Sequence, residues 1–102
     1  MIVINARVTV RDGQLERMKQ AIAEMERASR AEKGCFDYVF ATELNDPRVV
    51  RIVERWEGPE ALRAHFASPH MAAFQAAMQK DPPAGMELKV YEAREIPLPT
   101  GA

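Results

Sequence analysis

A single cysteine, five scattered glycines and no block of like charge set the first limits on this chain. Cys35 alone can form neither an intramolecular disulfide nor a multi-thiolate metal site, and nothing in the cysteine usage requires an oxidising compartment, so a cytoplasmic home is expected. Gly13, Gly34, Gly58, Gly85 and Gly101 stand too far apart for a phosphate-cradling loop or a dinucleotide fingerprint, which argues against flavin and nicotinamide enzymes. There is no Gly-x-Ser-x-Gly elbow, and no histidine stands in a reactive context beside Cys35. No segment approaches the ~20 apolar residues that span a bilayer, and the first ten residues alternate in polarity, so neither a membrane span nor a targeting segment is expected. Lys and Arg number 14 against 15 Asp and Glu, for a net charge of −1. The nearest thing to a basic stripe, Arg48, Arg51 and Arg55, is offset by Glu43, Glu54 and Glu57, which argues against nucleic acid as a partner.

What is there has ordinary globular composition, 47% hydrophobic and 28% charged. A chain of 102 residues supplies one core, burying roughly two thirds of its unfolded surface, with no material for a second. One domain is expected over residues 1–102, with its core in 2–96 and a tail at 97–102 broken by Pro97 and Pro99. Ile2 to Val10 alternates in the period of a strand. Asp12 offers a helix N-cap, Leu15, Met18, Ile22 and Met25 follow at spacings of three and four, and Gly34 can stop the helix in a left-handed conformation. Cys35 to Leu44 and Arg48 to Glu57 are rich in aromatic and β-branched residues and flank the turn residues Asn45-Asp46-Pro47, so they form a hairpin. Gly58-Pro59 and Ser68-Pro69 each open a helix with proline at its first position, giving two short pieces at about 59–67 and 69–79. After Asp81–Gly85, Met86 to Ile96 supplies a last strand.

The order strand, helix, strand, strand, helix, strand predicts an α+β, ferredoxin-like βαββαβ fold, an antiparallel sheet with helices on one face. Both faces of the strands carry large apolar groups: Phe36, Tyr38 and Phe40 oppose Val39 and Ala41, and Val50, Ile52 and Trp56 oppose Val49 and Val53. Left open, such a face would be a larger apolar patch than soluble monomers usually expose, so a homodimer packed sheet to sheet is expected.

Titratable and aromatic groups converge in one stretch, Glu54 to Phe74. His65 follows Leu62 by three residues and precedes Phe66, bordering the apolar stripe of its helix, where it is either a base in an apolar pocket or a half-buried structural histidine. His70 lies in the first turn of the next helix, where outward N–H groups disfavour a cationic ring, and reads as structural. The i,i+5 spacing of the two histidines spans a helix break and lacks companion ligands, so no metal is expected. Asn5 interrupts an apolar strand, where a half-buried carboxamide needs partners from protein or ligand. Trp56 is a core anchor or a pocket wall, and Tyr38 and Tyr91 offer phenols that spacing does not distinguish.

The element order, SRAEKGCFDY at Ser29 to Tyr38 and VERWEGPEALRAHFASPHMAAF at Val53 to Phe74 together resemble the antibiotic biosynthesis monooxygenase family, over roughly residues 2–95. The resemblance implies a dimeric α+β barrel with one pocket per subunit between sheet and helices, and oxidation of polycyclic phenols, anthrones or quinols by O₂ without a cofactor. An electron-rich aromatic, once deprotonated, can itself reduce oxygen, so protein of this kind need only bind it and manage protons and the oxyanion. On this likeness His65 would accept the proton, Asn5 would donate to the substrate oxygen, Trp56 would form a wall, and Phe66, Phe74 and Tyr38 would line the pocket. A related branch degrades haem with an Asn on the first strand, matched by Asn5, and a histidine ligand whose position falls at Gln75; an amide is no normal axial ligand, which disfavours haem chemistry. A non-catalytic module binding a small hydrophobic metabolite is the other alternative.

Overall fold

Alternation along the first strand separates two environments: Ile4, Ala6 and Val8 are buried, whereas Asn5 between them is exposed. The computed structural model describes residues 1–101, in the order β1 (Ile2–Thr9), α1 (Gln14–Arg30), β2 (Cys35–Glu43), β3 (Asp46–Trp56), α2 (Pro59–Phe66), α3 (Pro69–Lys80) and β4 (Gly85–Glu92). The four strands form one antiparallel sheet in the order β2-β3-β1-β4, and the helices cover one face of it, as the ferredoxin-like reading expects.

Helix-side residues of β1 pair with Val50, Ile52 and Glu54 of β3, so the buried positions of neighbouring strands coincide. Two clusters fill the space beneath the helices. One joins Ala6, Val8, Val50 and Ile52 with Leu15 of α1; the other joins Met25 of α1, Tyr38 and Trp56 with Leu62, Met71 and Phe74 of α2 and α3. The helices do not reach β4, whose helix-side residues Met86, Leu88 and Val90 remain about half exposed.

Four local expectations need correction. Helix α1 is not capped by Asp12: Gly13 occupies the N-cap in a left-handed conformation, and Gln14 Oε1 accepts the Arg11 N–H at 2.9 Å instead. Gly34 does not end α1, which stops at Arg30. Its φ of +82° turns the chain into β2, and an added Cβ would meet the Ala61 Cβ at 2.7 Å, so glycine is required where this turn passes α2. Phe36 does not share a face with Tyr38 and Phe40, because a bulge between Cys35 and Asp37 shifts the register and leaves Phe36 exposed. Strand β4 ends at Glu92, not Ile96.

The proline-opened helices match expectation. At the break between them Ser68 acts twice: its Oγ accepts the Met71 N–H at 3.2 Å, capping α3, and donates to the His65 carbonyl at 2.6 Å. The bend is therefore tied to the last turn of α2.

Candidate functional site

At the end of β3, period-2 alternation places Glu54 on the same buried face as Ile52 and Trp56, a carboxyl among apolar neighbours. Trp56 Nε1–H donates to Glu54 Oε1 at 3.0 Å. Burial pushes the Glu54 carboxyl above its usual range, against the opposing pull of the indole hydrogen bond and of His65. Across the ladder Glu54 faces Tyr38, whose phenol is pushed up by burial and by the Glu54 charge. Beside it Ser29 Oγ is buried without a hydrogen-bond partner.

His65, near the end of α2, closes over this surface. Its ring lies 4.6 Å from Trp56 at 38°, 5.4 Å from Tyr38 and 5.5 Å from Phe66, and the residue is 1% exposed. Nδ1 sits 2.6 Å from Oε2 of Glu32, in the turn that follows α1. His70 Nε2 meets the same oxygen at 2.8 Å, because the break at Ser68-Pro69 turns the start of α3 back over the turn. An ionised carboxylate only accepts, so both ring nitrogens facing it carry protons. With its proton fixed on Nδ1, His65 in the neutral form presents a lone pair at Nε2, which makes no hydrogen bond among the described residues.

The structure thus brings together His65, Trp56, Tyr38 and Phe66 of the residues singled out from sequence. Phe74 also packs against this cluster, while its ring meets Phe40 at 5.8 Å. Asn5 does not join them. It lies on the opposite face of the sheet, paired in register with Val53 and Lys89, and is exposed rather than half-buried. The expectation that an imidazole and a carboxamide share one hollow is therefore overturned, because the apolar residues that β1 buries are the even-numbered ones. Gln75 is exposed on α3. One group central to the site, Glu32, was missed, and Glu54, on the strand face of Trp56, was given no role. Glu54 was legible as the one acid in phase with Val50, Ile52 and Trp56; Glu32 carried no pattern, since it sits in a turn. The separation of the two histidines across a helix break, expected to keep them from acting together, instead delivers both to one carboxylate.

Two spaces adjoin this cluster. A cavity of about 50 Å³ lies between sheet and α1, lined by Val8, Met18, Ile22, Phe40, Val50 and Phe74 among others, with His65 not among its walls. A cavity that accepts benzene measures about 150 Å³, so this one is too small for an aromatic ring system. A second, open groove of about 580 Å³ runs between α2 and the β1–β4 edge, walled by Ile2, Pro59, Leu62, Arg63, Phe66 and Val90, with His65 not among its walls either. It is of the size that takes bicyclic and tricyclic ligands.

A sequence model of the family described as antibiotic biosynthesis monooxygenase matches residues 1–77. No curated protein matches the chain significantly. Among solved structures, a Deinococcus radiodurans protein provisionally described as an antibiotic biosynthesis monooxygenase superposes with a TM-score of 0.86 at 22% identity, over 96% of this chain and 97% of that one. A conserved Methanosarcina mazei protein gives 0.83 at 20% identity, over 91% and 92%. A Bacteroides thetaiotaomicron protein of unknown function, described as a possible oxidoreductase, gives 0.80 at 29% identity, over 90% and 96%.

Proposed function

The chain belongs to the antibiotic biosynthesis monooxygenase family, and on that footing we propose that it oxidises an aromatic phenol, anthrone or quinol with O₂ and no resident cofactor, His65 taking the substrate proton. The Glu32–His65 contact at 2.6 Å carries this reading. A carboxylate that holds one ring nitrogen protonated and a wall of Trp56 and Tyr38 that fixes the ring plane leave the other nitrogen as an oriented base.

The substrate would lie in the groove along Leu62, Phe66 and Val90; the Phe66 ring, 5.5 Å from that of His65, parts this groove from the buried imidazole and would turn aside to let substrate and base meet. Removing its phenolic proton raises the ring's electron density, and the anion then transfers electrons to O₂. A quinol gives quinone and H₂O₂, two electrons and two protons passing to oxygen. An anthrone gains one oxygen atom and loses two hydrogens, the second oxygen leaving as water. Trp56 supports the base in this reading and Asn5, on the far side of the sheet, has no part in it.

Residues 1–102 would work as a single domain, with a second copy over the open sheet face around Val3, Val39 and Val53. Oxygen uptake with a panel of anthrones and hydroquinols tests the chemistry: the parent should exceed the uncatalysed rate, and His65→Ala should lower kcat/KM by about 10²–10⁴, the usual worth of a positioned base. Equal rates in parent and variant would remove His65 from the role. Binding of the same compounds without oxygen uptake would replace the oxidase reading with a carrier of hydrophobic metabolites.

A further inference from the structure

Glu32, His65 and His70 place one carboxylate oxygen and two imidazole nitrogens within 4.8 Å of one another. We propose that this cluster is a binding site for a divalent transition-metal ion of the zinc class, formed by Glu32 Oε2, His65 Nδ1 and His70 Nε2. The proposal goes beyond the oxidase reading and does not depend on it; a bound ion would take the place of the Nδ1 proton that the oxidase reading assigns to His65, so the two describe different states of one cluster.

Donor chemistry selects the ion. Two imidazoles and one carboxylate suit Zn²⁺, Co²⁺ or Ni²⁺, and imidazole ligands argue against Mg²⁺ and Ca²⁺, which prefer oxygen alone. Bonds of about 2.0–2.1 Å at tetrahedral angles put neighbouring ligand atoms about 3.3 Å apart. The nitrogens now stand 2.6 and 2.8 Å from the carboxylate oxygen and within 4.8 Å of each other, so metal entry opens the two contacts by about 0.5–0.7 Å and replaces two hydrogen bonds with three coordinate bonds.

The supports of the cluster are of the kind that metal sites use. The His65 ring is packed against Trp56 and Tyr38, and Ser68 Oγ on the His65 carbonyl ties the bend between the two histidines to the end of α2. His70 and Glu32 are each less than a fifth exposed, giving a route from solvent without leaving the ligands loose. Three protein ligands leave a fourth position open for water, as in sites that exchange or activate a bound molecule rather than sites that only brace a fold.

The test uses tag-free full-length protein, freed of metal and titrated with Co²⁺ and Zn²⁺ by calorimetry and visible absorption. We expect one ion per chain, with the d–d absorption of four- or five-coordinate Co²⁺ and its displacement by Zn²⁺. His70→Ala and Glu32→Gln should each weaken binding by 100-fold or more, while circular dichroism shows the fold retained. Should either variant unfold, His70→Gln, a smaller perturbation on the outer side of the cluster, gives the same reading. Absence of stoichiometric binding to the parent, or equal binding by the folded His70 variants, would overturn the site.

Discussion

Filling the small cavity should stabilise the protein and leave its chemistry alone. Val50 is buried on β3, lines the space between sheet and α1, and carries no hydrogen-bonding side chain. A void of about 50 Å³, at roughly 24 cal/mol per Å³, costs about 1.2 kcal/mol. Val50→Ile adds one methyl group without changing the β-branched shape that suits a strand, and a newly buried carbon contributes about 0.8 kcal/mol. In a domain of this size that corresponds to a rise in Tm of about 3–6 °C, read by thermal circular dichroism. If substrate occupies the open groove, kcat/KM for the best quinol should stay within about twofold of the parent, since nothing near His65 moves. The complementary change is Val90→Trp, which narrows the groove from exposed β4 and should raise KM tenfold or more while Tm holds. A fall in Tm for Val50→Ile would mean the space is not a void. A tenfold loss of activity in Val50→Ile, with Val90→Trp unaffected, would move the substrate into the small cavity and refute the assignment.

Two further outcomes follow from charge and from exposure. Because burial raises the Glu54 carboxyl above its ordinary value of 4.5, ionising it opposes folding: its neutral-form stability is fully present below pH 4.5 and is lost as pH rises through the shifted value. Glu54→Gln, which retains an acceptor for the Trp56 N–H, should therefore gain stability over the parent as pH rises, the two converging near pH 4; denaturation curves that stay parallel from pH 4 to 9 would show that Glu54 is not held in this way. A second copy on the open sheet face should give a particle of about 23 kDa by sedimentation equilibrium, twice the 11.5 kDa chain, and Val53→Lys at the centre of that face should shift it toward monomer. A parent that sediments at 11.5 kDa would exclude the dimer.

Most of the architecture was legible because local patterns and tertiary demands agree. Alternation located β1, aromatic and β-branched content on either side of a turn located β2 and β3, proline at first helical positions located α2 and α3, and the apolar spacing of Met18 and Met25 marked the face of α1 that the sheet buries. The misreadings sit where one residue changes the count. An extra residue at Phe36 reverses the face for the start of β2, and no propensity announces a bulge. Asp12 does not take the capping role expected of it: Gly13 holds the N-cap position with no side-chain bond, and Gln14 Nε2 donates to the Asp81 carbonyl at 2.6 Å, which binds the start of α1 to the segment after α3. That contact spans sequence positions far apart, and a local reading has no access to it.

The site shows the same limit more sharply. His65 and Trp56 stood out because rare residue types on apolar faces are conspicuous, yet what would make His65 a base or a ligand is Glu32, one of 15 acidic residues and without periodic context. Its position is set by three separate devices: the end of α1 at Arg30, the left-handed turn at Gly34, and the bend at Ser68 that returns His70 to the same oxygen. The first two lie far from the histidines in sequence, and each of the three could shift while leaving the apolar pattern intact. The fold is written in periodic burial shared by many residues, so it survives a local misreading. The chemistry depends on one oxygen meeting two nitrogens, and such a junction exists only after the whole chain has closed.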